Sequence, residues 1–350
     1  MAYSDFIQVN VVTGFLGSGK TTLLQRLLHS PDLQDTAVLV NEFGEVGLDH
    51  HLLQSVTEST LLMDNGCLCC AIRGDLQGAL TELFDQRERG DIPAFKRVVI
   101  ETSGLADPVP IAYTVLAEPI LQHHFRLGNV ITTIDAINGA SQLNEFEESV
   151  KQVGVADRLV VTKSDMAAVD DVARLREELQ RLNVSAPIFD AAHDDLSPER
   201  LIVEDLYDLK GKMREVEYWR EQEDHAGHDH TEHDHDHGHT TGVTSFALTF
   251  DGALDWTAFG IWMTMLLNRH GDRVLRIKGM LNVAGQPTPV LINGVQHVVH
   301  PPLHLEAWPD DDHRSRLVFI VRDISRAKIE ASLAAFNGLA NVEVAADRVA

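Results

Sequence analysis

From Phe6 onward the chain alternates short apolar runs with amphipathic stretches. FIQVNVVT (6–13) predicts a strand, Lys20 to His29 a helix, and TAVLVN (36–41) a second strand. In GDLQGALTELFDQRERG (74–90), Leu76, Leu80, Leu83 and Phe84 fall at helical spacing. FKRVVIET (95–102), GNVITTIDA (128–136) and ADRLVVTK (156–163) predict three further strands. A helix from Asp170 to Asn183 then leads into a strand at APIFDA (186–191). Strands that are almost wholly apolar and alternate with helices predict an α/β unit with a mainly parallel sheet covered on both faces.

The pattern stops near residue 203. Residues 203–241 are polar and charged and include HAGHDHTEHDHDHGH (225–239), a low-complexity stretch holding seven of the 18 histidines. It has too little apolar surface to order itself and predicts a disordered linker. A second pattern begins at Gly242. VTSFALTF (243–250) predicts a strand. DWTAFGIWMTMLLNRHG (255–271) predicts a helix capped by Asp255 and stopped by Gly271. Strand-like runs follow at 273–283, 289–294, 296–300 and 316–322, and Asp323 or Ser325 is placed to cap a last helix over 326–336. The expected organisation is 1–202 as an α/β domain, 203–241 as an acidic His-rich linker and 242–350 as a small α+β domain. A length of 350 residues suits two domains.

Composition narrows the function. A formal net charge of −24 excludes nucleic acid and anionic membranes as natural partners, since a phosphate backbone needs a basic face. No apolar run approaches the roughly 18 residues of a membrane span. No basic residue precedes Lys20, so no secretory leader is expected. The three cysteines cannot all pair with one another, and near-adjacent ones make poor disulfides, which points to a reducing, cytoplasmic compartment.

GFLGSGKT (14–21) fits G-x-x-x-x-G-K-[ST], after a predicted strand and opening a predicted helix. Gly14, Gly17 and Gly19 let the backbone turn N–H groups toward phosphate oxygens. Ser18 and Thr22 lie in the same cradle, and the helix N-terminus adds its dipole. Lys20 can reach the β- and γ-phosphates, and the Thr21 hydroxyl can ligate Mg²⁺. In VVIETSG (98–104), an acidic residue ends an apolar strand. Glu101 there can hold the water shell of Mg²⁺, and the Gly104 N–H can sense the γ-phosphate. In VVTKSD (160–165), Asp165 can accept from the N1–H and 2-amino groups of guanine, a donor pair adenine lacks. Thr162 and Lys163 complete this stretch. The set favours GTP.

Together TGFLGSGKTTLL (13–24), NEFGEVGLD (41–49), NGCLCC (65–70), ETSGLADP (101–108), TKSD (162–165) and LRIKGML (275–281) resemble the CobW-type P-loop GTPases, relatives of the UreG and HypB nickel-insertion GTPases. The resemblance covers nearly the whole chain apart from the His-rich linker. It implies a P-loop GTPase domain, a small CobW-type C-terminal domain, and a metallochaperone-like role for zinc, cobalt or a related ion. Two positions depart from the pattern. Thr162 stands where GTPases commonly carry Asn, and Val40 where some relatives carry Glu, so any metal ligand from that position is absent.

All three cysteines, Cys67, Cys69 and Cys70, lie within four positions. They can be buried apolar groups, redox partners or metal ligands. A redox pair usually reads Cys-x-x-Cys, which is absent, and Cys70 followed by Ala71 and Arg73 does not read as a core strand. A three-thiolate set suits Zn²⁺ or Co²⁺ and leaves one tetrahedral position open, which Glu42, Glu45, His50 or His51 could complete. Residues 41–70 lie between the P-loop and Glu101, where GTPases carry segments that respond to the γ-phosphate. The resulting expectation is a GTP-hydrolysing metallochaperone with Lys20, Thr21 and Glu101 as catalytic groups. No Arg or Gln presents itself to orient the attacking water, so slow turnover is expected. Its partners would be GTP, a transition metal ion and a client metalloprotein, with a homodimer left open. A metal buffer or sensor with little turnover is the main alternative, and an ATP-dependent kinase-like enzyme a weaker one.

Overall fold

The nearly continuous apolar runs of the first half become strands buried on both faces. A computed structural model describes residues 6–40, 60–62, 68–71, 75–203 and 242–346. These form two compact units, one of 6–178 with 186–203 and one of 179–185 with 242–346.

The first unit is built on β1 (Ile7–Gly14), β2 (Thr36–Val40), β3 (Thr60–Leu62), β4 (Leu68–Ala71), β5 (Arg97–Glu101), β6 (Phe125–Asp135), β7 (Arg158–Thr162) and β8 (Ile188–Asp190). They lie in the order β3-β4-β2-β5-β1-β6-β7-β8. Every neighbouring pair is parallel except β3 with β4. The helices are α1 (Lys20–Leu28), α2 (Leu76–Arg89), α3 (Val109–Ala117), α4 (Pro119–Gln122), α5 (Gly139–Glu145), α6 (Glu147–Val155) and α7 (Val169–Leu182). Leu23, Leu24, Leu27 and Leu28 of α1 pack on Val12, Val38, Val99, Ile131 and Val160 of the central strands. Each buried leucine contributes roughly 1.5–3 kcal/mol, which anchors the helix that carries Lys20 and Thr21.

The structure adds elements that the residue pattern does not announce. Four helices, α3 to α6, occupy 109–155 around β6. α3 is apolar nearly all round and has proline in its first turn, so it shows neither a polar stripe nor a capping side chain. The expectation that Cys70 lies outside a core strand is overturned. Leu68–Ala71 is β4, with Cys69 opposite Val38 and Cys70 opposite Leu39 of β2, and with β3 on its other side. Two flanking backbones supply the hydrogen bonds of this four-residue strand.

The second unit has β9 (Val243–Phe250), α8 (Trp256–His270), β10 (Val274–Leu281), β11 (Val290–Val295), β12 (Val298–Val299), β13 (Leu303–His304), β14 (Ser315–Arg322) and α9 (Arg326–Ala346). The sheet is antiparallel, in the order β12-β11-β10-β14-β9 with β13 paired to β11. Phe259, Trp262, Met263 and Leu267 of α8 and Ile329 and Leu333 of α9 close its core over Ile277, Leu317 and Phe319. The Trp262 indole donates to Ser332 Oγ at 2.9 Å and ties the two helices together. Asp255 caps α8 as expected, its side chain accepting from Ala258 N at 2.7 Å. Gly271 does not stop α8 through a left-handed turn. Its φ is −54°, and its lack of a Cβ makes room for the His297 ring. Asp323 has φ 52° and donates its N–H to Gly242 O, so Ser325 takes the position before α9, which runs ten residues past its expected end.

Candidate functional site

The loop from Gly14 to Gly19 leaves the carboxyl end of β1 and enters α1. Gly14 has φ 141°, and a Cβ there would overlap the Thr133 carbonyl oxygen of β6. Gly17 has φ 72° and faces open space, and Gly19 has φ 88° at the start of α1. Lys20 turns back over the loop and donates from Nζ to Gly14 O at 2.9 Å and to Phe15 O at 3.1 Å. It is 9% exposed. Burial pulls its pKa below the ordinary lysine value, and the carboxylate of Glu101 opposes that. Ser18 faces inward, with Oγ 2.6 Å from Thr133 Oγ1 and its N–H donating to Phe15 O. Thr22 is exposed one position beyond Thr21. The first N–H groups of α1 have no acceptor within the helix and are open to an anion.

Glu101 ends β5, is buried, and accepts from Thr21 Oγ1 at 2.5 Å. A hydroxyl and a carboxylate side by side at the mouth of the loop are hard oxygen donors of the kind Mg²⁺ takes. Thr102 ties this strand end to β1 through Thr13 Oγ1 at 2.8 Å and Val12 O at 3.0 Å. The chain then makes a turn closed by Ala106 N on Ser103 O. Gly104 in this turn lies against the P-loop. A Cβ there would come within 2.6–2.8 Å of Leu16 side-chain and backbone atoms.

On the other flank, Thr162 Oγ1 donates to Ser18 O at 2.8 Å. Its hydroxyl thus braces the phosphate loop. Lys163 has a left-handed φ of 57°, and its Nζ reaches Gly17 O at 2.8 Å and Asp135 Oδ2 at 2.7 Å. Asp165 is exposed in the short turn Ser164–Met166. Ser164 Oγ anchors that turn to Asp190 Oδ1 at 2.5 Å. Asp135 and Asp190 are site residues that the sequence reading missed. An acidic strand end is too common to stand out, although TTIDA and IFDA both place one there.

Asp135 is 2% exposed. Burial resists its ionisation, but Lys163, the Ile137 N–H and the Asn138 side chain outweigh that and hold its carboxyl below the ordinary 3.8. A carboxylate with a depressed folded pKa contributes stability in full above its unfolded value and loses it as pH falls through the folded one. Urea unfolding midpoints of the wild type should therefore fall more steeply with acid below pH 3.8 than those of Asp135→Asn. Parallel curves would show that the pair with Lys163 adds nothing.

Of the expected metal ligands, Cys67 and Glu42 lie outside the described residues, as do Glu45, His50, His51 and the histidines of 225–239. Cys69 and Cys70 are placed by their backbone in β4. Among the described residues, no group of three or more His, Cys, Asp or Glu is arranged to hold a metal ion. Strand register still relates the cysteines to the nucleotide side. Val40 of β2 pairs with Ala71 of β4 on one side and with Glu101 of β5 on the other. The strand bearing Cys69 and Cys70 thus ends level with Glu101, two strand spacings or roughly 10 Å away.

Residues 8–190 match the CobW/HypB/UreG nucleotide-binding domain, and residues 243–337 match the cobalamin synthesis protein cobW C-terminal domain. The chain is 34% identical over 328 residues to the zinc chaperone YjiA of Escherichia coli (strain K12), covering 94% of this chain and 98% of that protein. It is 27% identical over 361 residues to the zinc chaperone CobW of a Sinorhizobium species, covering 94% and 97%. The crystal structure of Zn(II)-bound YjiA GTPase from E. coli superposes with a TM-score of 0.70 at 30% identity, covering 95% of this chain and 99% of that one. Among the described residues, no helix is long and apolar enough to cross a membrane.

Proposed function

The chain belongs to the CobW/HypB/UreG family, and from that premise we propose that it is a GTP-hydrolysing metallochaperone of the cytoplasm. In this reading it couples nucleotide state to the binding of zinc or cobalt and to its delivery to a client metalloprotein. The observation that carries the proposal is the convergence of Lys20, Thr21 and Glu101, with Thr21 Oγ1 bonded to Glu101 Oε1 at 2.5 Å. Two relatives that match nearly the whole chain are named zinc chaperones, which supports zinc as the cargo.

Thr21 and Glu101 would hold Mg²⁺, which supplies charge neutralisation on the transferred phosphoryl group. The Lys20 ammonium is held by two loop carbonyls, which it can exchange for phosphate oxygens. The N–H groups opening α1 bind the phosphates. Gly104 brings the following turn against the loop, on the γ-phosphate side. Thr162 spends its hydroxyl on Ser18 O, so recognition of guanine falls to Asp165. Asp165→Asn should therefore weaken GTP by about tenfold, the size of one lost charged hydrogen bond, and leave ATP binding unchanged. Competition binding measures this, and equal loss of both nucleotides would make Asp165 structural.

The decisive experiment is phosphate release from GTP across a metal series, with ATP as control. Cys67, Cys69 and Cys70 should bind one Zn²⁺ or Co²⁺ per chain with release of protons. Cobalt titration reports this through thiolate-to-metal absorption. Bound GTP should shift the metal affinity about 5–150-fold, with the reciprocal shift on GTP. Replacing all three cysteines by Ser should erase the band and the metal effect and keep basal hydrolysis. Tight stoichiometric metal in that variant would move the cargo site elsewhere.

A further inference from the structure

We infer that Gln152 of α6 is a positioning residue for the γ-phosphate turn, and that α6 is the element through which that turn and the P-loop are set together. The inference deepens the GTPase reading above and rests on it.

Gln152 is 1% exposed and lies 48 positions beyond Gly104 in the sequence. Its side-chain amide donates to Gly104 O at 3.2 Å and to Ala106 O at 3.0 Å. Both partners are carbonyls, so the group facing them is the NH₂. Its own backbone oxygen accepts from Thr132 Oγ1 of β6 at 2.8 Å, which seats the helix on the sheet. One buried amide thus pins two of the four carbonyls of the Ser103–Ala106 turn. Peptide units are planar and trans. Holding the Gly104 oxygen on α6 therefore sends the Leu105 N–H to the opposite side of the turn.

Gln152 Oε1 is buried and has no partner among the described residues. A buried acceptor left unmade is costly, so an apolar side chain of the same shape would serve a purely packing role better. Retaining glutamine here fits a need for the NH₂ pair. α6 also reaches the P-loop at its start. Phe146, the residue before its first turn, packs on Phe15 with ring centroids 4.6 Å apart. The two loops that would embrace the phosphates are therefore fastened to one helix, at residues six positions apart.

The test uses the full-length protein, Gln152→Met and Gln152→Glu. Met keeps the volume and removes both donors, whereas Glu keeps the shape and turns an acceptor toward two carbonyls. Binding of GDP and of a non-hydrolysable GTP analogue is measured for each, with thermal melting as the control for folding. In the folded variants, GDP affinity should stay within about twofold of wild type. Analogue affinity and kcat should both fall about tenfold, as expected for losing one net hydrogen bond. Equal weakening of both nucleotides, or of neither, overturns the inference and leaves Gln152 a strut.

If neither variant folds, amide hydrogen exchange on the wild type decides. Residues 103–106 and 149–153 should gain protection together with the analogue and not with GDP, and independent behaviour overturns the proposal. A wild type that binds both nucleotides without hydrolysing GTP sinks the GTPase reading, while the affinity ratio still judges Gln152.

Discussion

Lys20→Ala is expected to leave the fold intact and to lower phosphate release from GTP by on the order of 10²–10³-fold, the usual cost of removing one preorganised donor from a transition state. Lys20 Nζ is held by two main-chain oxygens of its own loop, and the leucines of α1 rather than Lys20 form the apolar cluster on the sheet. Burial already disfavours its charge, with Glu101 as the compensating neighbour. Removing the ammonium ends that desolvation cost and leaves the Gly14 and Phe15 carbonyls without its two hydrogen bonds, so the melting temperature should move by only a few degrees. In the proposed reaction the transition state loses the positive charge that this ammonium would supply. Steady-state phosphate release together with a thermal melt separates the two effects. Wild-type turnover in the folded variant would remove the phosphate-transfer assignment from this loop.

Gly14→Ala should be far more damaging than Gly17→Ala, although both replace a glycine of one motif. Gly17 has a left-handed φ and open space around it, so alanine there costs about 1–2 kcal/mol of backbone strain. Gly14 has a φ of 141°, and an added Cβ would meet the Thr133 carbonyl. Thr133 cannot withdraw, because β6 is paired with β1 at that register on one side and with β7 on the other. The expected loss exceeds about 4 kcal/mol, in the range reserved for severe core defects. Urea unfolding of the two variants gives the comparison. Equal losses would show that the loop relaxes freely away from the sheet.

The nucleotide half of the site was legible because its chemistry is local. Gly14, Lys20 and Thr21 fall within eight residues, and the physics of a phosphate cradle dictates their types and spacing. Glu101 and Asp165 stood out as candidates because each ends an apolar strand or follows one at a fixed offset. Asp135 and Gln152 were not, because their roles exist only across the fold. Asp135 meets Lys163 28 positions away, and Gln152 meets Gly104 48 positions away. The apolar runs that became central strands were plain for the same reason that α3 was obscure. A strand buried on both faces is apolar throughout, while a helix that is apolar nearly all round lacks the periodicity that would reveal it. β4 was misjudged because two cysteines and an alanine carry little strand signal, and the neighbouring backbones complete it.

The placement of β4 bears on how a cargo ion would leave. A strand cannot slide by one residue within a sheet without exchanging its two faces, and β4 is gripped by β2 on one side and β3 on the other. The backbone at Cys69 and Cys70 is therefore held in register between two strands. On the proposed function, nucleotide exchange would unload the ion by withdrawing ligands supplied from outside β4 while the strand backbone keeps its register. On the same proposal, a client that takes the ion would come to this edge of the sheet and offer ligands of its own.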